Sequence, residues 1–187
     1  MRKHNGYDLV RPMFISGKLT LFSDIFEFDL IPKTVVATDL GKEKTRFKQL
    51  IQNPSEFIYQ EIRLFSAKCN LEPYEMGILI ENEHPAPPAT GDEGEREEKY
   101  AAIKPMVEAG SILLLEDIFK YIPKYPVAEK IGRKGTTLDR YLKNVAGFPI
   151  GDIWAIGTLF DLRLSDMLKL VEAQYMKQQS SKTKKNK

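Results

Sequence analysis

Apolar residues recur at helical spacing through most of the chain. Steps of three, four and seven residues separate Val36, Leu40, Phe47 and Leu50, and later Val127, Ile131, Leu138 and Leu142. This spacing places apolar side chains on one face of a helix, and it predicts amphipathic helices. Residues 10–21 could also be extended, but no alternating strand pattern competes elsewhere. The sequence therefore predicts an all-α fold.

The chain contains two diverged copies of one unit. Residues 7–13 return 93 positions later as residues 100–106, and Gly17 returns as Gly110. Residues 31–81 then match residues 122–172 without a gap at an offset of 91, so the first copy carries a two-residue insertion near residues 28–30. Matches at apolar, glycine and proline positions in one register indicate a duplication. We define copy one as residues 7–81 and copy two as residues 100–172.

Each copy is predicted to contain five short helices. Pro32 and Pro123 suit the first turn of a helix, and Gly41 and Gly132 suit its end. The predicted helices cover about 23–28, 32–40, 44–51, 59–69 and 73–80, and in copy two 116–121, 123–131, 136–142, 150–160 and 164–171. Residues 82–99 are rich in proline and glycine and then acidic, which predicts a mobile linker. Residues 173–187 are polar and basic, which predicts a disordered tail.

The second and third predicted helices of each copy match a known pattern. Residues 36–41, followed by Phe47 and Leu50, resemble the helix-turn-helix of the lambda-repressor-like (Cro/C1-type) family. In that family a small residue, here Ala37 or Ala128, lets the two helices cross closely, and a glycine makes the turn. The resemblance covers about sixty residues of each copy, including the last two predicted helices. It implies two tandem five-helix lambda-repressor-like domains.

The resemblance also implies sequence-specific binding of double-stranded DNA, as in a transcriptional regulator, by two fused units that act as a pseudo-dimer. In the family, the second helix of the motif contacts base edges in the major groove. The corresponding exposed positions carry Glu43, Lys44, Thr45, Lys48, Gln49 and Gln52, and in copy two Lys134, Thr136, Asp139, Arg140 and Lys143. Five further cations are placed to bind phosphates, namely Lys33, Lys42, Arg46, Lys124 and Arg133. Because Gly135 stands where the copy-two helix should start, we expect copy one to bind DNA more strongly.

Basic residues are concentrated around the motif, although the net charge of the chain is only +2. Residues 33–48 contain five basic and two acidic residues, and residues 124–143 contain six and two. This distribution is typical of a surface that faces DNA. The low overall charge, together with Glu43 and Asp139, favours an alternative. It is a protein-interaction or structural module that keeps the fold without DNA binding, and its partner would be a second copy of itself or another protein.

The remaining residues suggest no enzyme, metal site or cofactor. His4 and His84 have no second ligand at metal spacing, and the carboxylates are scattered over helix faces. The single cysteine, Cys69, cannot form an internal disulfide, which predicts a buried side chain in a reducing cytoplasm. No run approaches the roughly 18–20 apolar residues of a spanning helix, so no membrane association is expected.

Overall fold

A computed structural model describes residues 6–27, 30–86 and 98–185 of the chain, and these residues form an all-α structure. Copy one contains α1 (Tyr7–Ile15), α2 (Asp24–Glu27), α3 (Lys33–Asp39), α4 (Lys44–Gln52), a 3₁₀ turn (Pro54–Glu56), α5 (Tyr59–Lys68) and α6 (Pro73–Glu83). Copy two contains α7 (Glu98–Ala101), α8 (Ile103–Glu108), α9 (Leu115–Ile118), α10 (Lys124–Lys130), α11 (Gly135–Lys143), a 3₁₀ turn (Val145–Gly147), α12 (Ile150–Leu159) and α13 (Leu164–Lys185).

The first helix of each copy is an addition to the predicted set. Part of α1 falls in residues 10–21, which could be extended on sequence grounds, and it contains Pro12, which has no amide hydrogen for the helical ladder. Tyr7 and Val10 lie on the same face of α1, and both are buried in the core. In copy two the equivalent segment is divided at Ala102 into α7 and α8. The prediction of five helices in each copy is therefore not confirmed.

Equivalent positions of the two copies adopt the same backbone conformation. Gly41 and Gly132 have φ values of +63° and +68°, and they end α3 and α10 in the left-handed region as the sequence predicted. Asp24 and Asp117 each accept backbone N–H groups from the residues just before their helices, at 2.8 Å from Leu21 and 3.1 Å from Leu114. The duplication is therefore visible in local structure as well as in sequence.

The two copies are joined by reciprocal contacts between equivalent residues. Ile58 and Pro149, which are 91 positions apart, form an antiparallel bridge. The N–H of Tyr59 donates to the carbonyl of Phe148, and the N–H of Ile150 donates to the carbonyl of Phe57, both at 2.8 Å. Because each bond maps onto the other when the copies are exchanged, the copies are related by a pseudo-two-fold axis, as in an isologous dimer.

Helices α6 and α13 cross on this axis and form the largest helix contact of the described residues. Gly77 of α6 and Leu168 of α13 are equivalent residues, again 91 positions apart. A β-carbon on Gly77 would lie 2.7 Å from Cδ1 of Leu168 and 3.4 Å from Cα of Ser165. The missing side chain of one copy therefore makes room for the fully buried leucine of the other.

One hydrophobic core runs through both copies, so the prediction of two separate domains on a linker is not confirmed. Most of the predicted linker, residues 87–97, lies outside the described residues, as does His4. The predicted disordered tail differs from the structure, because α13 continues to Lys185. Its extension is held by side chains, since Gln174 and Gln178 each donate to the carbonyl of Leu142 at 2.8 Å.

Candidate nucleic-acid interface

Helix α4 presents the predicted base-contacting residues of copy one on its open face. Phe47, Leu50 and Ile51 are buried, as their spacing predicts, and they hold the helix against the core. The opposite face exposes Lys44, Thr45, Lys48, Gln49 and Gln52. With one exception, these side chains make no hydrogen bond or ion pair with the described residues. Gln49 accepts a long bond of 3.4 Å from Arg46.

Helix α11 is built in the same way but has a mixed open face. Leu138 and Leu142 are buried, whereas Lys134, Thr136, Arg140 and Lys143 are exposed. Lys134, Thr136 and Lys143 have no hydrogen bond or ion pair within the described part of the chain. The guanidinium of Arg140 lies over the Tyr141 ring at 5.2 Å from its centroid. Each candidate reading helix, α4 and α11, therefore keeps free cations at its surface.

Four of the five predicted phosphate-binding cations are paired inside the chain. Lys42 pairs with Glu61, and Arg133 makes two bonds to Asp152 at 2.9 and 3.1 Å. The other two pairs join Arg46 to Glu56 at 2.5 Å and Lys124 to Asp139 at 2.8 Å. The fifth cation, Lys33, lies 5.8 Å from the centroid of the Phe26 ring. The acids lie up to nineteen positions from their partners, so helical spacing did not reveal the pairs.

Two of these ion pairs are equivalent in the two copies and fix the candidate reading helices. Lys42–Glu61 ties the turn between α3 and α4 to the first turn of α5, and Arg133–Asp152 ties the turn between α10 and α11 to the first turn of α12. The two carboxylates are largely buried, and the bond to Asp152 raises the pKa of Arg133. Lys42 and Arg133 therefore position the motif, and their charges are already partly neutralised.

An exposed aromatic ring covers the start of α11. Tyr125 of α10 is 68% exposed, yet a β-carbon on Gly135 would lie 2.6 Å from its Cε1 and 2.7 Å from its Cδ1. The ring therefore lies directly on the glycine backbone. Copy one has Thr34 and Lys44 at the equivalent positions. Tyr125 was missed in the sequence, where the only signal is that both positions differ between the copies.

The pseudo-two-fold axis relates the two candidate reading helices to each other. A two-fold rotation leaves the position of a residue along the axis unchanged. Helices α4 and α11, which directly precede the two 3₁₀ turns of the interface, therefore lie at the same level along the axis. The chain thus carries two equivalent helices that this axis relates to each other.

Other kinds of site find little support in the described ranges. No group of three His, Cys, Asp or Glu side chains there is placed to hold a metal ion. Cys69 is fully buried, and burial raises the pKa of its thiol to about 12, far from that of a reactive thiolate. None of the described helices is long and apolar enough to cross a membrane. No protein-family model, curated protein or solved structure matches the chain.

Proposed function

We propose that this protein binds double-stranded DNA in a sequence-specific way, as a regulator of transcription, with α4 and α11 as its two reading helices. The observation that supports the proposal is the pseudo-two-fold pairing of the two copies in one chain, each with two short helices joined at a left-handed glycine. B-DNA has two-fold axes perpendicular to its length, and dimeric helix-turn-helix proteins align their own axis with one of them. Fusion of the copies provides that symmetry without a second chain.

Unpaired and paired cations have different roles in this proposal. Lys44 and Lys48 of α4, and Lys134 and Lys143 of α11, make no hydrogen bond or ion pair with the described residues and remain available to bases and phosphates. The four paired cations instead hold the helices of the motif in position through their ion pairs. An ion pair at a partly exposed site contributes only about 0–1 kcal/mol, so a phosphate could still recruit the outer cation of such a pair.

The alternative is a protein-interaction module, and the paired cations favour it. Lys42, Arg46, Lys124 and Arg133 are the side chains best placed for phosphates, and each already has a carboxylate partner. A surface whose charges are balanced within the chain attracts a polyanion less strongly. The partner would then be a protein that docks on α4 and α11.

Binding to duplex DNA as a function of salt distinguishes the two candidates. The full chain is used to select duplexes from a random pool, and the affinity for the selected duplex is measured by fluorescence anisotropy. We expect log affinity to fall linearly with log salt at about −0.9 per neutralised phosphate. Charge reversal at Lys44 and Lys48 together should weaken binding about tenfold or more, because contacts to bases and phosphates are lost.

The matched control carries the same change in net charge outside the two motifs. Lys18 is exposed and has no ion pair among the described residues, whereas Lys169 pairs with Asp166 of its own helix and lies 5.1 Å from the centroid of the Tyr74 ring. Charge reversal at Lys18 and Lys169 should change the affinity far less than reversal at Lys44 and Lys48. An equal loss for both double variants, or no binding to any duplex at low salt, would favour the interaction module.

A further inference from the structure

The internal duplication provides a comparison within one chain. Between residues 32–52 and 123–143, six of the 21 aligned positions are identical, among them Ala37/Ala128, Gly41/Gly132 and Thr45/Thr136. Two of the fifteen positions that differ are neighbours in space in copy two. Thr34 of copy one is replaced by Tyr125, and Lys44 is replaced by Gly135. In copy two the exchanged residues lie in direct contact.

Gly135 is required by the position of the Tyr125 ring. A β-carbon there would overlap the ring at 2.6–2.7 Å, well inside the ordinary contact range of 3.4–4 Å. Glycine at the first position of α11 therefore leaves the space in which the aromatic ring lies.

The seated ring is directed at solvent and is not used to fill the core. Tyr125 remains 68% exposed although one face of its ring lies on Gly135. The residues on either side of that glycine, Lys134 and Thr136, are exposed as well. An aromatic ring, a cation and a hydroxyl therefore lie together at the end of the helix that would enter the major groove. This mixture matches the apolar and anionic groups of a DNA groove.

We propose that Tyr125 is the specificity-determining residue of copy two and contacts the C5-methyl group of a thymine where copy one uses Lys44 on a guanine. This inference rests on the DNA binding proposed above. A lysine donates to the O6 and N7 acceptors of guanine, whereas an apolar side chain packs on the thymine methyl. The preferred site is then asymmetric, with guanine in one half and thymine at the equivalent position of the other.

The test is binding-site selection with the full chain and a set of paired variants. Wild type should select unlike half-sites, with a preference of roughly 5- to 150-fold for the correct base in each. Tyr125→Thr should abolish the thymine preference and leave the guanine preference unchanged. Gly135→Ala should displace the ring and cause the same loss without lowering the melting temperature, because alanine favours the helix. In the Tyr125→Thr background, Gly135→Ala should have no further effect.

Two further variants test the roles of Tyr125 and Gly135, one by exchange for the copy-one residues and one as a control. The double variant Tyr125→Thr/Gly135→Lys recreates the copy-one pair, and it should select guanine at this position in both halves, while the rest of the two half-sites stays unlike. Tyr121→Thr removes another tyrosine of copy two, which is 52% exposed and lies between α9 and α10, and it should leave the selected site unchanged.

Three results would overturn the inference. The first is a thymine preference that survives Tyr125→Thr, and the second is an equal loss in Tyr121→Thr. Either of these would leave the proposed DNA binding intact. The third is a wild-type chain that selects no duplex at low salt, which would overturn the proposed function and this inference with it.

Discussion

The crossing of α6 and α13 predicts strong energetic coupling between Gly77 and Leu168. In a symmetric homodimer a residue on the axis meets its own copy, so both partners must be of the same size. In this fused chain the two equivalents have diverged to glycine and leucine. The pair should therefore behave as one packing unit that links the two copies.

The magnitudes follow from the local packing. Leu168→Ala removes a fully buried side chain and should cost about 2–5 kcal/mol. Gly77→Ala inserts a methyl group 2.7 Å from Cδ1 of Leu168, and overpacking of this kind costs about 1–3 kcal/mol. The higher helix propensity of alanine returns up to about 1 kcal/mol, so the net cost should be about 0–2 kcal/mol. In the double variant the new methyl occupies vacated space, and the total should be about 1–3 kcal/mol below the sum.

The coupling is measured by denaturant unfolding of wild type, Gly77→Ala, Leu168→Ala and the double variant. The unfolding free energies are compared at a constant slope of free energy against denaturant concentration. Leu50→Ala in α4 serves as the control partner, because Leu50 is buried in the core of copy one. Its effect should add to that of Gly77→Ala within about 0.5 kcal/mol. If the effects of Leu168→Ala and Gly77→Ala also added within about 0.5 kcal/mol, the packing of α6 on α13 described above would be refuted.

Three further predictions concern other parts of the fold. Gly132→Val should cost on the order of 1–2 kcal/mol in thermal unfolding, because φ is +68° there; unchanged stability would mean that the turn is misplaced. Tyr7 donates a hydrogen bond to Asp39 at 2.7 Å and, with Lys68, lowers the pKa of that carboxyl. Asp39→Asn should therefore lower the free energy of unfolding at pH 7 by at most about 1 kcal/mol, and it should make that free energy fall less steeply as the pH is lowered. The ionised form is favoured in the fold, so its contribution is present above the unfolded pKa and is lost as pH falls through the lower folded pKa; an unchanged acid limb would contradict this. Fragments 1–86 and 98–187 should be unfolded alone and fold when mixed, as circular dichroism can show, because one core spans both; stable separate fragments would contradict that.

Local features of this fold were readable from the sequence. The spacing of Phe47 and Leu50 predicted α4 within a residue of its observed end, and Gly41 and Gly132 were placed correctly as left-handed turns. Such features depend on residues a few positions apart, so a linear pattern records them. The helix around Pro12 was missed because proline weakens the same pattern.

The joining of the two copies could not be read in this way. Helix α6 did carry a signal, since Met76, Gly77, Leu79 and Ile80 are all buried, and a helix that is apolar on several sides is typically covered on several sides. The sequence does not name the covering element, which is α13 of the other copy. The same holds for the surface, because the pairing of Lys42 with Glu61 and the seating of Tyr125 on Gly135 depend on three-dimensional contacts.

In the proposed function, one chain presents two reading helices to one face of a DNA duplex. Hydroxyl-radical footprinting of the full chain on a selected duplex would show this arrangement. We expect two protected patches on the same face of the duplex, with centres about 10 base pairs or roughly 34 Å apart. A single patch, patches on opposite faces, or no protection at low salt would contradict it.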